Sequence, residues 1–237
     1  MMYSYDFRKI ARDSLRGKWG LAVLAGLVAT ILGGTQSGVT GGVELSEREM
    51  RMLSPEILTF ISGFAIVSLI ITILIGGVTE IGYTKFNMNI VRDKNPQFTD
   101  ILSYYNYIKK GVGLTVIRGF FVFLWSLLFV VPGIVAFYRY AMMPYLLAEN
   151  PNMTVMEAMK QSKIMMKGNK FRLFCLHFTF IGWKILAAFT LGIGFLWVNP
   201  YEAAAEAAFF DSLSSDVLTV EPQEPKKSDF DYINWEE

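Results

Sequence analysis

Residues 111–150 read GVGLTVIRGFFVFLWSLLFVVPGIVAFYRYAMMPYLLAEN. No charged side chain stands between Arg118 and Arg139, and aromatic and aliphatic residues fill nearly every position between them. A membrane-crossing helix needs about 20 consecutive apolar residues, and this run supplies them. Pro132-Gly133 lies inside it, and apolar character continues past Arg139. The threading of this run decides the sidedness of everything that follows. A single crossing would put the next loop outside, yet that loop carries Lys160, Lys163, Lys167, Lys170 and Arg172. Basic residues tend to stay in the cytoplasm. Two crossings, turning near Pro132-Gly133, return the basic loop to the inside. The second arm, 134–148, would then rise only about 22 Å at helical pitch, so the bilayer or the fold must compensate. Two crossings are favoured, with a proline-kinked single span as the alternative.

Working outward, other uncharged runs repeat the pattern. The 237-residue chain is 53% hydrophobic, 15% aromatic and only 18% charged, less charge than the surface of a soluble domain of this size requires. The predicted fold class is all-α: a polytopic helical membrane protein of about six crossings, three helical hairpins, with added amphipathic interfacial helices. The spans fall at about 19–34, 57–79, 112–131, 134–148, 171–189 and 195–213, preceded by an amphipathic segment 1–18 and followed by an acidic tail 214–237. Both termini are expected in the cytoplasm. From Glu202 onward lie ten of the 21 acidic residues and two of the 22 basic ones, so the membrane body is basic and the tail acidic.

Ser4 to Lys18 sets Ile10, Ala11, Ser14 and Leu15 on one helical side and Arg8, Lys9, Arg12, Arg16 and Lys18 on the others. That pattern suits an anionic inner leaflet and equally an ordinary lead-in to the first span; a cleaved signal peptide is a third reading, without a convincing cleavage site. The loop up to Glu56 is poor in basic residues and is expected outside, with a short helix at Ser46–Leu53. Gly76-Gly77 ends the second span and allows close helix packing. After Glu80, a segment with Lys85, Arg92, Lys94, Lys109 and Lys110 is expected in the cytoplasm, including a surface helix from Phe98 to Lys110 capped by Thr99. Thr154 and Glu157 have capping-box spacing for an amphipathic helix ending near Gly168. Its apolar side is Met156, Met159, Ile164, Met165 and Met166, suited either to ordinary packing or to an adaptable binding face. Thr190–Gly194, TLGIG, is a predicted turn, and Asn199-Pro200 is expected to bend the final span.

Several motifs occur in a fixed order: Ala11-Arg12 with Trp19-Gly20, Val131-Pro132-Gly133-Ile134, Met143-Pro144-Tyr145, Glu149-Asn150-Pro151, Met166-Lys167-Gly168-Asn169, Phe180-Ile181-Gly182-Trp183 and Trp197 with Pro200-Tyr201. On these the chain resembles an uncharacterised bacterial integral-membrane family catalogued as domain of unknown function 975, from Arg8 to Leu213. The Pro-Gly-Ile element and the helix near Gly168 also look remotely like the membrane domain attached to some glycerophosphodiester phosphodiesterases; nothing resembles their catalytic domain. The resemblance implies a multi-span protein of the bacterial inner membrane and supplies no reaction or ligand.

Catalytic constellations are not legible. His177 has no serine or acid usefully spaced for nucleophile activation. His177 and Cys175, the sole residues of their types, make a poor metal set. No phosphate-binding glycine loop is present, and paired carboxylates are not expected within a span. No enzymatic activity, cofactor or nucleic-acid partner is therefore expected. The charges in or beside the spans are Glu80, Arg118, Arg139, Lys184 and Glu202. An intramembrane charge costs roughly 2.5–3.5 kcal/mol on insertion scales and must find a partner or snorkel. Arg139, Lys184, Arg118 and Glu80 are the candidate residues for binding a lipid or a partner, with Arg139 foremost: it could hold a lipid phosphate or pair with Glu80 or Glu202. The expected role is a non-enzymatic accessory or scaffold protein that binds anionic inner-leaflet lipids or an unidentified membrane protein. The alternative is a transporter of a small solute or lipid whose helices break at Pro132-Gly133 and Leu191–Gly194.

Overall fold

A computed structural model describes residues 2–34 and 54–219. The expected helix at Ser46–Leu53 and the end of the acidic tail lie outside the described residues. Every regular element among the described residues is helical. Helix α1 (Ser4–Ser14) precedes α2 (Trp19–Ile31). Then α3 (Pro55–Ile71), a π-helical turn (Thr72–Gly76) and α4 (Gly77–Val91) follow without interruption. The short α5 (Thr99–Leu102) and a 3-10 turn (Tyr105–Tyr107) lead into α6 (Ile108–Leu128) and α7 (Val130–Tyr140). The chain ends with α8 (Met143–Glu149), α9 (Val155–Met165), α10 (Lys170–Phe189) and α11 (Phe195–Thr219).

Helix α4 is the centre of the molecule. The sequence places the end of a span at Thr79 and a cytoplasmic segment beyond it; the helix instead runs on to Val91, and most of its residues are buried. Hydropathy falls after Thr79 because α4 carries Glu80, Thr84 and Asn87 inward, toward a polar interior. Close approach depends on glycine. A Cβ on Gly77 would sit 2.1 Å from the Gly111 carbonyl oxygen, and one on Gly82 would sit 2.1 Å from that of Ile101. The expected surface helix 98–110 is thus split, with Ile101 buried against Gly82 and α6 already begun at Ile108. Thr99 does not cap α5; the Asp100 carboxylate accepts from the Gln97 amide and from Asn89.

The organising stretch folds back on itself. Phe129 is extended (φ −163°, ψ 154°) between α6 and α7. Gly133 lies against Ser126, and the Phe121 and Tyr140 rings sit 6.0 Å apart. Residue numbers that rise on one side as they fall on the other define an antiparallel hairpin. The turn is at Phe129, and Pro132 falls in the first turn of α7, where a missing N–H leaves no intrahelical bond unmade. Helices α10 and α11 form a second hairpin about the predicted Thr190–Gly194 turn, in which Leu191 and Gly192 take φ of +55° and +86°. The rings of Phe180 and Tyr201 meet across it at 5.1 Å. Helix α11 continues through Pro200, which packs against Gly26 of α2, and past Leu213 to Thr219.

The apolar side of α1 is covered by protein. Phe7 packs edge-on against Phe209 at 5.3 Å, the Arg172 guanidinium lies over both rings, and Tyr201 donates to the Arg8 carbonyl. Helix α9 has the predicted capping box between Thr154 and Glu157. Met159, Met165 and Met166 of its apolar side are buried, whereas Met156 and Ile164 are exposed.

One end of the bundle is charged. The Arg92 guanidinium, at the C-terminal end of α4, donates to Asp211 of α11 at 2.6 and 3.0 Å and to Glu149 of α8 at 2.9 Å. Lys18 meets Asp93 at 2.5 Å and, through that bond and its charge, lowers the Asp93 carboxyl below its ordinary pKa. The hairpin tips at Phe129 and Leu191 lack such charge and expose their side chains. Two stretches among the described residues, Thr99–Leu128 and Lys170–Phe189, are long and apolar enough to cross a membrane, and few of their residues are buried inside the protein. Apolar, outward-facing helices around a polar core give the fold membrane character.

Gly77→Ala is expected to cost about 1–3 kcal/mol or more, the range for overpacking, since the clash is with backbone. Gly182→Ala, where a Cβ meets nothing within 4 Å, is the matched control. Thermal unfolding in mild detergent measures the difference.

Candidate functional site

Glu80 and Arg118 meet near the middle of the bundle. Arg118 Nη1 donates to Glu80 Oε1 at 2.6 Å and Nη2 to Oε2 at 2.7 Å, a two-pronged pair. The side chains retain 15% and 11% exposure, so neither end is solvated enough to stand alone. Planar guanidinium and carboxylate groups match in this fork, which lysine would not reproduce. The pair joins α4 to α6 and accounts for two of the four candidate residues read from sequence.

A second polar cluster lies on α11. Glu202 and Glu206 are one helical turn apart on the same side, although paired carboxylates were not expected within a span. Lys184 Nζ sits 2.8 Å from both oxygens of Glu202. His177 Nε2 is 2.8 Å from Glu206 Oε1, and Tyr145 donates to Glu206 Oε2 at 3.1 Å. An ionised carboxylate only accepts, so Nε2 carries the proton and leaves Nδ1 to face the Tyr138 hydroxyl at 3.1 Å. The partners come from α7, α8, α10 and α11, so linear spacing around His177 could not reveal them. The separation of His177 and Glu206 along the chain is set by the length of the α10–α11 hairpin, and folding that hairpin in sequence would have found the pair.

These carboxylates stand between two spaces. On one side is a chamber of about 70 Å³ bounded by α4, α8 and α11, lined by Glu80, Tyr83, Asn87, Tyr145 and Asn199 together with Glu202 and Glu206. It has room for a small ion or roughly two waters. On the other side, a more open cavity of about 330 Å³ is lined by Phe137, Tyr138, Phe174 and His177, with Lys184, Glu202 and Glu206 again in its wall. Three chamber residues present buried polar atoms without a hydrogen-bond partner: the Tyr83 hydroxyl, Asn87 Oδ1 and Asn199 Oδ1. Asn87 donates through Nδ2 to the Tyr83 carbonyl at 2.8 Å, which orients its amide oxygen as the free end. Leaving such groups unpaired costs about 1–3 kcal/mol each; all three residues line the chamber, with the Tyr83 hydroxyl lying against Gly26 of α2, and the two asparagines make it suited to a polar guest.

Arg139 stands apart from both clusters. Glu80 and Glu202, the partners considered for it, bind Arg118 and Lys184 instead. Its backbone carbonyl accepts from Ser162 of α9 at 2.9 Å, and its side chain is half-buried. Lys184, the fourth candidate, belongs to the α11 cluster. The discontinuities beside the chamber also differ from those expected. Pro132-Gly133 and Leu191–Gly194 lie at hairpin tips. Further interruptions are the π-helical turn that runs into α4 and the Ala141-Met142 step before α8.

A family described as Protein of unknown function (DUF975) matches residues 1–138 and 127–216. The chain belongs to this family. No curated protein and no solved structure matches it. The family relationship supplies no ligand or reaction, so the chemistry of this member rests on its own side chains.

Arg118→Ala is expected to lower stability by about 3–5 kcal/mol, because it strands a buried carboxylate. Glu80→Gln combined with Arg118→Gln should cost less than Arg118→Ala alone. Unfolding midpoints of the single and double variants measure the coupling.

Proposed function

We propose that this DUF975 member is a multi-pass carrier of the cytoplasmic membrane that moves a small cation or cationic solute through its oxygen-lined interior. The observation that carries this reading is the position of Glu202 and Glu206, which form a common wall between the chamber and the wider cavity. Ionisable groups within a membrane body mark solute or proton paths by default. The π-helical turn that runs into α4 is of a kind that concentrates at functional sites. The unpartnered chamber atoms include two amide oxygens, and two carboxylates complete an acceptor-rich lining suited to a positive guest.

The topology in this reading has six crossings with both termini inside. The clustering of Lys18, Arg92, Asp93, Glu149 and Asp211 at one end supports it, as do the apolar tips at the other. A second reading, an accessory protein that binds anionic lipid or a membrane partner, is supported by the exposed Met156 and Ile164 beside Lys160 and Lys167 on the basic α9 segment.

In proteoliposomes, the protein is expected to dissipate an imposed gradient of a small cation, and Glu206→Gln is expected to slow that flux by about tenfold or more. Absence of flux for protons, alkali cations and divalent metals alike, from protein that remains folded, would overturn the carrier reading. For topology, in a Cys175→Ser background, Leu191→Cys is expected to react with an impermeant thiol reagent from outside and Lys160→Cys only after the membrane is opened. Labelling of Lys160→Cys from outside would exclude six crossings with a cytoplasmic N-terminus.

A further inference from the structure

We infer that His177, Glu202 and Glu206 form a binding site for a first-row divalent transition-metal ion, with Lys184 as the resident cation that gives way to it. The inference deepens the carrier reading by naming the class of cargo, yet it concerns equilibrium binding and stands or falls without any flux. One ligand atom from each of the three residues lies within 4.8 Å of the others. Metal–nitrogen and metal–oxygen bonds of about 2.0–2.2 Å place neighbouring ligands of one tetrahedral ion roughly 3.4 Å apart. The cluster therefore closes on an ion with shifts of about an ångström between ligand atoms, within the freedom of two glutamate side chains.

The donor set selects the metal. One imidazole nitrogen with two carboxylates suits zinc, manganese, iron or cobalt, whereas calcium and magnesium prefer oxygen alone. Supporting contacts of the kind that orient metal ligands are already in place. A metal on Nε2 moves the His177 proton to Nδ1, which then donates to the Tyr138 hydroxyl 3.1 Å away, and Tyr145 holds Glu206 Oε2 at 3.1 Å. Three protein ligands leave a coordination position open toward the cavity of about 330 Å³.

A separate observation points to a cationic guest. On the chamber side of the same carboxylates, Tyr83 and Asn87 retain 6% and 1% exposure and present polar atoms without partners. An ion leaving the triad toward the chamber enters a space lined by Asn87 and Asn199, whose amide oxygens lack partners. Lys184 supplies the positive charge that Glu202 otherwise needs. Its side chain is 38% exposed, so it can swing aside when a metal replaces its charge.

The test is equilibrium binding of Zn2+ and Co2+ to the full-length protein in detergent, by competition with a chromogenic chelator and by Co2+ visible absorption, with Mg2+ as the comparison ion. About one Zn2+ per chain is expected, with Mg2+ unable to displace it. His177→Gln should weaken binding by about tenfold or more. Lys184→Met, which removes the competing charge, should tighten it, and this variant keeps the test decisive if His177→Gln fails to fold. No saturable Zn2+ binding by either the parent or Lys184→Met would overturn the inference, as would affinity unchanged in folded His177→Gln. Binding without flux would leave the site standing while the carrier reading fails, and flux of other cations without binding would do the reverse.

Discussion

A charge enclosed by apolar helices must meet an opposite charge, and the Glu80–Arg118 fork shows how much of this fold follows from that constraint. Glu80 is the residue at which α4 stops being legible as a membrane span. Its pairing with Arg118 of α6 lets the helix continue inward rather than exit. Once α4 is central, its glycines must admit α5 and α6 at backbone contact, and its Tyr83, Thr84 and Asn87 must face an interior rather than water. Removing the counter-charge would leave α4 with a buried carboxylate that has lost its arginine.

The same constraint organises α11, with a different result. Glu202 and Glu206 are satisfied by Lys184 and His177, yet both also border open space. Lysine is a flexible single-point cation, and histidine changes charge near neutrality. These are exchangeable partners, whereas the arginine fork on Glu80 is a fixed one. Among the described residues the molecule thus sets an arginine–carboxylate pair of structural character on α4 and α6 against a looser, guest-accessible group on α11. The Arg92 clamp on Glu149 and Asp211 ties the charged ends of α4, α8 and α11 together, which holds the three walls of the chamber in register.

Much of the helical layout was legible in the sequence. The Thr154–Glu157 capping box, the TLGIG turn and the return of the organising stretch all reflect local signals: a cap, a positive-φ glycine, an uncharged run too long for one arm. The inward continuation of α4 was not legible, because hydropathy averages over a helix and cannot distinguish a polar face turned to solvent from one turned to a chamber. The turn at Phe129 was displaced from Pro132 because proline is tolerated in the first turn of a helix as readily as in a loop. Among the candidate residues, Glu80, Arg118 and Lys184 were visible as charges in apolar surroundings, but their partners were not. His177 and Glu206 remained hidden since their pairing depends on how α10 folds onto α11. Arg139 stood out by its position after Pro-Gly, a signal that also marks the hairpin, and its side chain lies apart from both clusters.

The central claim is that a polar, solvent-reachable chamber lies within a membrane-embedded helix bundle, and the most direct measurement is the reactivity of a cysteine placed in its wall. Thr84→Cys, in a Cys175→Ser background and in native membranes, would be exposed to a small cationic thiol reagent. The result expected is modification about tenfold faster than that of Phe180→Cys, a position fully buried in apolar packing, with the reagent's charge accelerating the reaction. Equal inertness of the two cysteines in folded protein would contradict the account, since Thr84 would then belong to an ordinary dry core.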